Sequence, residues 1–291
     1  MITLHAPAKL NLSLRVLSKR QDGFHELDTL MVKLPGLADT LEFHEAEEFS
    51  FRCSDSSLPA GDENLVVRAA RAYEAAAALQ CRCCISLTKT IPHGAGLGGG
   101  SSDAAMTLLG LNQLHGFRLT VNELHGIAAS LGSDVPFFLS AGASRCTGRG
   151  EIIQPVPSPP PLPVLLLKPS FSVATPDAYK RWSSSQELPG IRYRPQLIPD
   201  IFLLNDLERP VFEKHRFLAE LKQWLLERRD CRRADEWLGL HRVRGPARSL
   251  GCPCSCRCSA HGTGPGPLAL GGLYGMTTNR RPRLTTLAAF P

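Results

Sequence analysis

Apolar and polar positions alternate most clearly near the N-terminus. Ile2 and Leu4, then Leu10, Leu12, Leu14 and Val16, recur at every second residue, the period of a half-buried strand. The pattern changes at Asn64. Residues 64–79 are rich in alanine and free of glycine and proline, which predicts a helix. A strand-like run over 81–91 leads into a glycine-rich segment, and a helix-like run over 104–114 leaves it. A further helix is predicted over 121–131, followed by a short apolar segment at 134–139. Pro155, Pro157, Pro159, Pro160, Pro161 and Pro163 interrupt any regular element and mark a linker. Val164 to Leu167 reads as the first strand of a second unit, and Leu218, Leu221 and Leu225 share one face of a later helix. No internal repeat is visible.

Between the 81–91 run and the helix stands Pro92-His93-Gly94-Ala95-Gly96-Leu97-Gly98-Gly99-Gly100-Ser101-Ser102-Asp103-Ala104-Ala105. Glycines let a ligand approach the backbone, and the following helix start presents free N–H groups at the positive end of its dipole. Ser101 and Ser102 add hydroxyls where a phosphate oxygen or Mg²⁺ would sit. The pattern points to a polyphosphate cradle, and so to a nucleoside triphosphate. A plain flexible turn is the bland alternative. Gly94, Gly96 and Gly99 also fit G-x-G-x-x-G, but the acidic residue at the right distance, Glu123, starts a helix-like segment rather than ending a strand. The other phosphate-loop pattern fails because no G-K-[ST] follows.

The loop resembles the central motif of the GHMP kinases. Ala6-Pro7-Ala8-Lys9-Leu10-Asn11-Leu12 resembles the first motif of that family. Asp22-Gly23-Phe24-His25-Glu26-Leu27, Gly132-Ser133-Asp134-Val135-Pro136-Phe137-Phe138, Ala178-Tyr179-Lys180 and Asn205-Asp206-Leu207-Glu208 resemble segments of its branch acting on a cytidylylated methylerythritol. The matches run in order from about residue 3 to about residue 227. The resemblance implies an α+β, two-domain GHMP kinase fold. An N-terminal ATP-binding domain would span 1–155 and a ferredoxin-like domain, incomplete here, 162–228, with the active site between them. It also implies ATP-dependent phosphorylation of the 2-hydroxyl of 4-diphosphocytidyl-2-C-methyl-D-erythritol, in non-mevalonate isoprenoid synthesis. Another GHMP kinase, of the mevalonate or homoserine type, is the enzyme alternative.

That resemblance assigns roles, each beside a plainer reading. Asp134 would be the base that accepts the hydroxyl proton, or else a helix N-cap. Lys9 lies in an apolar segment where a lone ammonium is costly, and Asp134 would be its partner; a snorkelling surface lysine is the alternative. Asn11 and His25 would bind substrate, His25 at the cytosine edge. Phe24 and Tyr179 would stack on the base, or pack in the core. The family usually carries Tyr where Phe24 stands. Lys180 would face the diphosphate, or water. Asn64 would touch the adenine side, or cap the helix it precedes. Asn205 and Asp206 read as structural. Mg²⁺ accompanies ATP in this picture, with Ser102 as its candidate ligand.

Composition narrows the setting. Hydrophobic residues make up 43% and charged residues 21%, ordinary for a globular chain. The absence of a cationic-then-apolar leader and of any 18-residue apolar run makes the cytoplasm the expected location, with no membrane partner. The net charge is +6, yet from Arg228 onward eleven arginines face three acids, a surplus of eight that leaves residues 1–227 at −2. The body is therefore no basic nucleic-acid binder; a small molecule is the expected partner. Cys81, Cys83 and Cys84 sit in a strand-like run and read as core thiols. Cys252, Cys254, Cys256 and Cys258 lack the paired C-x-x-C spacing of structural zinc.

The last stretch has a composition of its own. The third family motif, of the type M-S-G-S-G-S-T-V-F, is absent. In its place stands D-E-W-L-G-L-H-R-V-R-G-P from Asp235 to Pro246. One permissible coding of that segment, read one base later, gives M-S-G-S-G-S-T-V-F-A-V-L. The same frame meets TGA at Met276-Thr277, because Met is ATG and Thr codons begin with A. A one-base frameshift around Arg228 to Arg233 is the expectation, with residues 229–291 poorly ordered and activity impaired. The rival is a genuine basic, cysteine-rich extension that binds nucleic acid or metal.

Overall fold

A computed structural model describes residues 1–160, 164–198 and 201–230, together with two short strands at 273–274 and 285–286. The C-x-C-x-C-x-C tract and most of the segment expected to be out of frame lie outside the described residues.

The alternating N-terminal pattern becomes one long strand, β1 (Ile2–Lys19), which pairs antiparallel with a still longer β2 (His25–Glu45) from Ile2↔Phe43 to Lys19↔His25. The register slips between Pro7 and Ala8, where proline has no N–H to give, and again between Asn11 and Ser13. β3 (Ser50–Cys53) and β4 (Cys83–Thr88) continue the sheet on the β2 side. β5 (Ser144–Gly148) pairs with β2 and with β6 (Ile152–Pro155).

Helices α1 (Leu65–Ala77), α2 (Gly99–Leu114), α3 (Val121–Leu131) and α4 (Val135–Leu139) pack with this sheet around one core that includes Leu41, Phe43, Tyr73, Ile85, Leu108, Leu111 and Phe137. α2 approaches closely because residue 110 is glycine; a Cβ there would stand 2.3 Å from the Phe43 ring. Cys81 and Cys83 are buried free thiols of this core, pushed up by burial to about 12 and about 11.

The second half of the chain begins with β7 (Val164–Leu167) and α5 (Thr175–Arg181). It then forms a hairpin, β8 (Gln196–Ile198) and β9 (Ile201–Asn205), followed by α6 (Glu208–Lys214) and α7 (Arg216–Asp230). β9 runs parallel to β1 and so extends the first sheet. Its end is tied there by Asp206, whose backbone N–H donates to Leu14 O at 2.9 Å and whose Oδ2 accepts from Val16 N at 2.9 Å. Asn205 caps the turn into α6 by accepting from Leu207 N. The apolar cluster of this half, Leu207, Val211, Phe212, Leu218 and Ala219, is completed by Leu14, Val16 and Leu27 from the first half. The two halves therefore share a core across the proline-rich linker. β7 pairs with β10 (Leu273–Tyr274) and β11 (Thr285–Thr286). Among the described residues no helix is long and apolar enough to cross a membrane.

Candidate active site

The site is a cleft of about 670 Å³ with one wall from β1, the glycine loop and the Asp134 turn, and the other from the β1–β2 hairpin tip and α5. Lys9 stands at its base, 5% exposed. Its backbone N–H donates to Leu97 O at 2.8 Å, which pins the glycine loop to β1. Its ammonium lies 3.2 Å from Asp134 Oδ2 and donates to Asn11 Oδ1 at 3.0 Å. A buried ammonium is tolerable only when paired in this way.

Asp134 occupies the N-cap position of α4, yet its side chain makes no capping hydrogen bond. The cap reading therefore fails on geometry, and the carboxylate turns to Lys9 instead. α4 is anchored by Phe137 and Phe138, both buried, and by Lys33, whose ammonium donates to the carbonyls of Phe138 and Ser140 at its C-terminal end. Burial lowers the pKa of Lys33.

The loop holds three left-handed glycines, at φ +66° (Gly94), +70° (Gly96) and +69° (Gly98). Gly98 has no room for a side chain: a Cβ would come within 2.8 Å of Lys9 Cγ and 2.9 Å of the Phe138 ring. α2 begins at Gly99, so Ser101 and Ser102 fall in its first turn. Gly96, Gly98 and Ser101 line the cleft. Ser102 is fully buried, and its Oγ has no partner. Leu97 is buried in the packing beneath the loop, and His93 is exposed.

At the opposite wall, Asp22 shapes the hairpin tip by accepting from Phe24 N at 3.1 Å and from the Arg20 guanidinium. This presents Phe24 and His25 to the cleft. The His25 ring stacks on Tyr179 at 5.4 Å and meets Trp182 edge-on at 5.9 Å. Burial, assisted by the charge of Lys19, lowers the His25 pKa, favouring a neutral ring. Burial also pushes the Tyr179 phenol well up, with the charge of Asp134 adding to it. Lys180 lines the same wall.

Thus Lys9, Asn11, Phe24, His25, Gly96, Gly98, Ser101, Asp134, Tyr179 and Lys180 gather in one cleft. Pro92, His93, Gly94, Ala95, Leu97, Gly99, Gly100 and Ser102 do not line it, and neither does Asn64. Its Oδ1 accepts from Val66 N at 2.9 Å as the N-cap of α1, and its Nδ2 donates to Pro59 O.

These relationships have counterparts in known proteins. Residues 64–142 match the GHMP kinases N terminal domain. The 4-diphosphocytidyl-2-C-methyl-D-erythritol kinase of Methylacidiphilum infernorum is 41% identical over 233 residues, which is 77% of this chain and 78% of that one. The enzyme of the same name from Caldanaerobacter subterraneus is 39% identical, over 78% and 82%. The chain belongs to this kinase family. The crystal structure of a 4-(cytidine 5'-diphospho)-2C-methyl-D-erythritol kinase superposes on it with a TM-score of 0.62 at 36% identity, covering 76% of this chain and 81% of that one. A homoserine kinase from Cytophaga hutchinsonii, 22% identical with a TM-score of 0.50, shares the fold.

Several residues at or behind the site escaped the sequence reading. Arg149, at the tip of the β5–β6 turn, lines the cleft and lays its guanidinium over the Phe24 ring at 4.8 Å. Lys19 adds a second cation. Behind the loop, Lys89 bridges Asp39 and Asp103. Burial opposes charge on Lys89 and on Asp103. The two carboxylates nonetheless raise the Lys89 pKa, while burial pushes Asp103 up to about 7 against the pull of Lys89. Nothing in local sequence marks these groups as partners, because up to 64 positions separate them.

Proposed function

We propose that this cleft transfers the γ-phosphoryl group of ATP to the 2-hydroxyl of 4-diphosphocytidyl-2-C-methyl-D-erythritol, a step in non-mevalonate isoprenoid synthesis. The observation that carries this reading is the Lys9–Asp134 pair, 3.2 Å apart, set between the glycine loop and the aromatic wall. The Asp134 carboxylate takes the hydroxyl proton as the oxygen–phosphorus bond forms. The bond from the γ-phosphorus to its bridging oxygen breaks, and ADP leaves. Lys9 holds the carboxylate in place and offsets charge on the acceptor oxygen. Asn11, with its Oδ1 engaged by Lys9, keeps its amide N–H groups for the substrate.

The loop from Pro92 to Ser102 would receive the phosphates on backbone N–H groups at the start of α2. Asn64 would act by placing the start of α1 beside that loop; Leu65 Cδ1 lies 3.5 Å from a Cβ built on Gly100. Phe24, His25 and Tyr179 would bind the cytosine, and Lys180, with Lys19 and Arg149, the diphosphate. Among the described residues no group of three or more His, Cys, Asp or Glu side chains is placed to hold a metal. Mg²⁺ would therefore be held mainly by phosphate oxygens, its usual mode with nucleotides. The unpartnered Ser102 Oγ fits as the protein ligand. When bound, the ion neutralises charge on the transferring group. The proposed setting is the cytoplasm, with a small-molecule substrate and no nucleic acid.

The frameshift reading bears on this exact chain. A relative matched over 77% of it leaves unmatched about the length of the segment from Arg229 onward, as a frameshift and a genuine extension would alike. The test is to assay ADP release from ATP with the cytidylyl substrate, for the chain as printed and for one carrying the restored M-S-G-S-G-S-T frame. Substrate-dependent turnover in the restored chain supports the proposal, with little in the printed one. Turnover in neither overturns the function, and equal turnover in both overturns the damage.

A further inference from the structure

We propose that Lys89 is a positioning residue for the nucleotide: held between Asp39 and Asp103, it clamps together the strand that enters the glycine loop and the helix that leaves it. The inference rests on the ATP reading above. Lys89 Nζ lies 2.5 Å from Asp39 Oδ2 and 2.7 Å from Asp103 Oδ2, with the three side chains 10%, 0% and 3% exposed. Asp39 reaches across from β2, and its other oxygen accepts the backbone N–H groups of Thr90 and Ile91 at 2.5 and 2.8 Å. Those are the last residues before the loop. Asp103 belongs to the first turns of α2, the first helix residues after it. Lys89 Nζ itself lies 3.3 Å from a Cβ built on Gly99, directly beneath the helix start.

Between these anchors the loop has seven residues, 92–98, three of them glycines at positive φ. Glycine imposes little shape of its own. The positions of the two ends therefore decide where the N–H groups point. Two carboxylates and one ammonium in a dry interior are a poor way to gain stability, since an apolar filling would serve as well. They are a good way to fix three segments in one geometry. Ser102 Oγ and Asp103 Oδ1, in the same turn, are buried without a protein partner.

The test measures binding of ATP and of cytidine 5'-diphosphate to the full chain by calorimetry, in two variants. Asp103→Asn loosens the helix end while keeping shape. The triple variant Asp39→Asn/Lys89→Met/Asp103→Asn removes every charge at nearly constant volume and covers the case in which the single variant does not fold. The expected result is a loss of ATP affinity of about 10- to 100-fold, the scale of a misplaced binding geometry. Affinity for cytidine 5'-diphosphate, held by the opposite wall, should stay within about twofold of the unsubstituted chain. ATP affinity unchanged in a folded variant overturns the clamp. So does an equal loss for both ligands, or failure of both variants to fold, since either assigns the network to general stability. If the unsubstituted chain binds cytidine 5'-diphosphate but no ATP, with the restored frame as well as without it, the nucleotide reading itself fails, and the clamp falls with it.

Discussion

The two walls of the cleft are built by different means. The loop wall works through backbone: left-handed glycines, a helix start, and a lysine whose own N–H fixes the loop to β1. Its lysine is buried and ion-paired to Asp134. The hairpin wall works through side chains, with an imidazole stacked on a phenol and a guanidinium over a benzyl ring. On the proposed reading the loop wall takes a triphosphate, which is the same in every ATP, so a rigid backbone mould suffices. On the same reading the hairpin wall takes a cytosine, which must be distinguished from other bases and so calls for directional side-chain groups. One wall should therefore fail abruptly when altered, and the other by degrees.

The largest effect is expected where the walls meet. In the chain with the restored frame, Asp134→Asn keeps the shape and removes the base, so kcat should fall by about 10²- to 10⁴-fold with KM little changed, read from steady-state ADP release. A KM effect alone would show that Asp134 only binds substrate. Gly98→Ala tests the mould. Its methyl would press on Lys9 and Phe138 in a backbone region alanine avoids, and overpacking of this kind costs about 1–3 kcal/mol. Turnover should drop about 100-fold and the melting temperature should fall with it.

On the hairpin wall, His25→Ala should lower kcat/KM for the cytidylyl substrate about tenfold, the worth of one hydrogen bond at a buried site, and leave the KM for ATP unchanged. An effect on ATP instead would erase the division between the walls. The smallest effect is one of pH. With its pKa lowered by burial, His25 stays neutral through the ordinary imidazole range near 6.5, and KM for the cytidylyl substrate should stay flat down to about that pH. The unfolded chain takes up that proton first on acidification. The His25 contribution to stability is thus lost as pH falls below about 6.5, measurable in paired melts of the parent and His25→Gln.

The same contrast explains what the sequence revealed. The glycine loop is a contiguous motif, so its strand-to-helix setting was legible, as were the helices over 121–131 and 64–79. α2 starts five residues earlier than the apolar pattern suggested, because glycines and serines carry no periodicity of their own. The long β2 escaped notice: Pro35 and Gly36 interrupt its middle, and part of its length is paired on both sides, so simple alternation is lost. Lys9 and Asp134 came from resemblance, with the cap alternative removed only by geometry. Arg149 and the Asp39–Lys89–Asp103 network left no local trace. Each looks like an ordinary turn or strand-end charge until distant segments are folded together.

The pairing of β9 with β1 has a consequence for how the protein is made. The outer edge of β1 beside Ser13 and Leu14 is covered by Leu204 and Asn205, some 190 residues later. A nascent chain emerges at about 5–20 residues per second, so that edge stays bare for roughly ten seconds or more on the ribosome. Through that interval the strand bearing Lys9 offers free N–H and C=O groups to any neighbouring chain. Synthesis of this protein is thus a period of exposure to aggregation that ends only when the second half arrives.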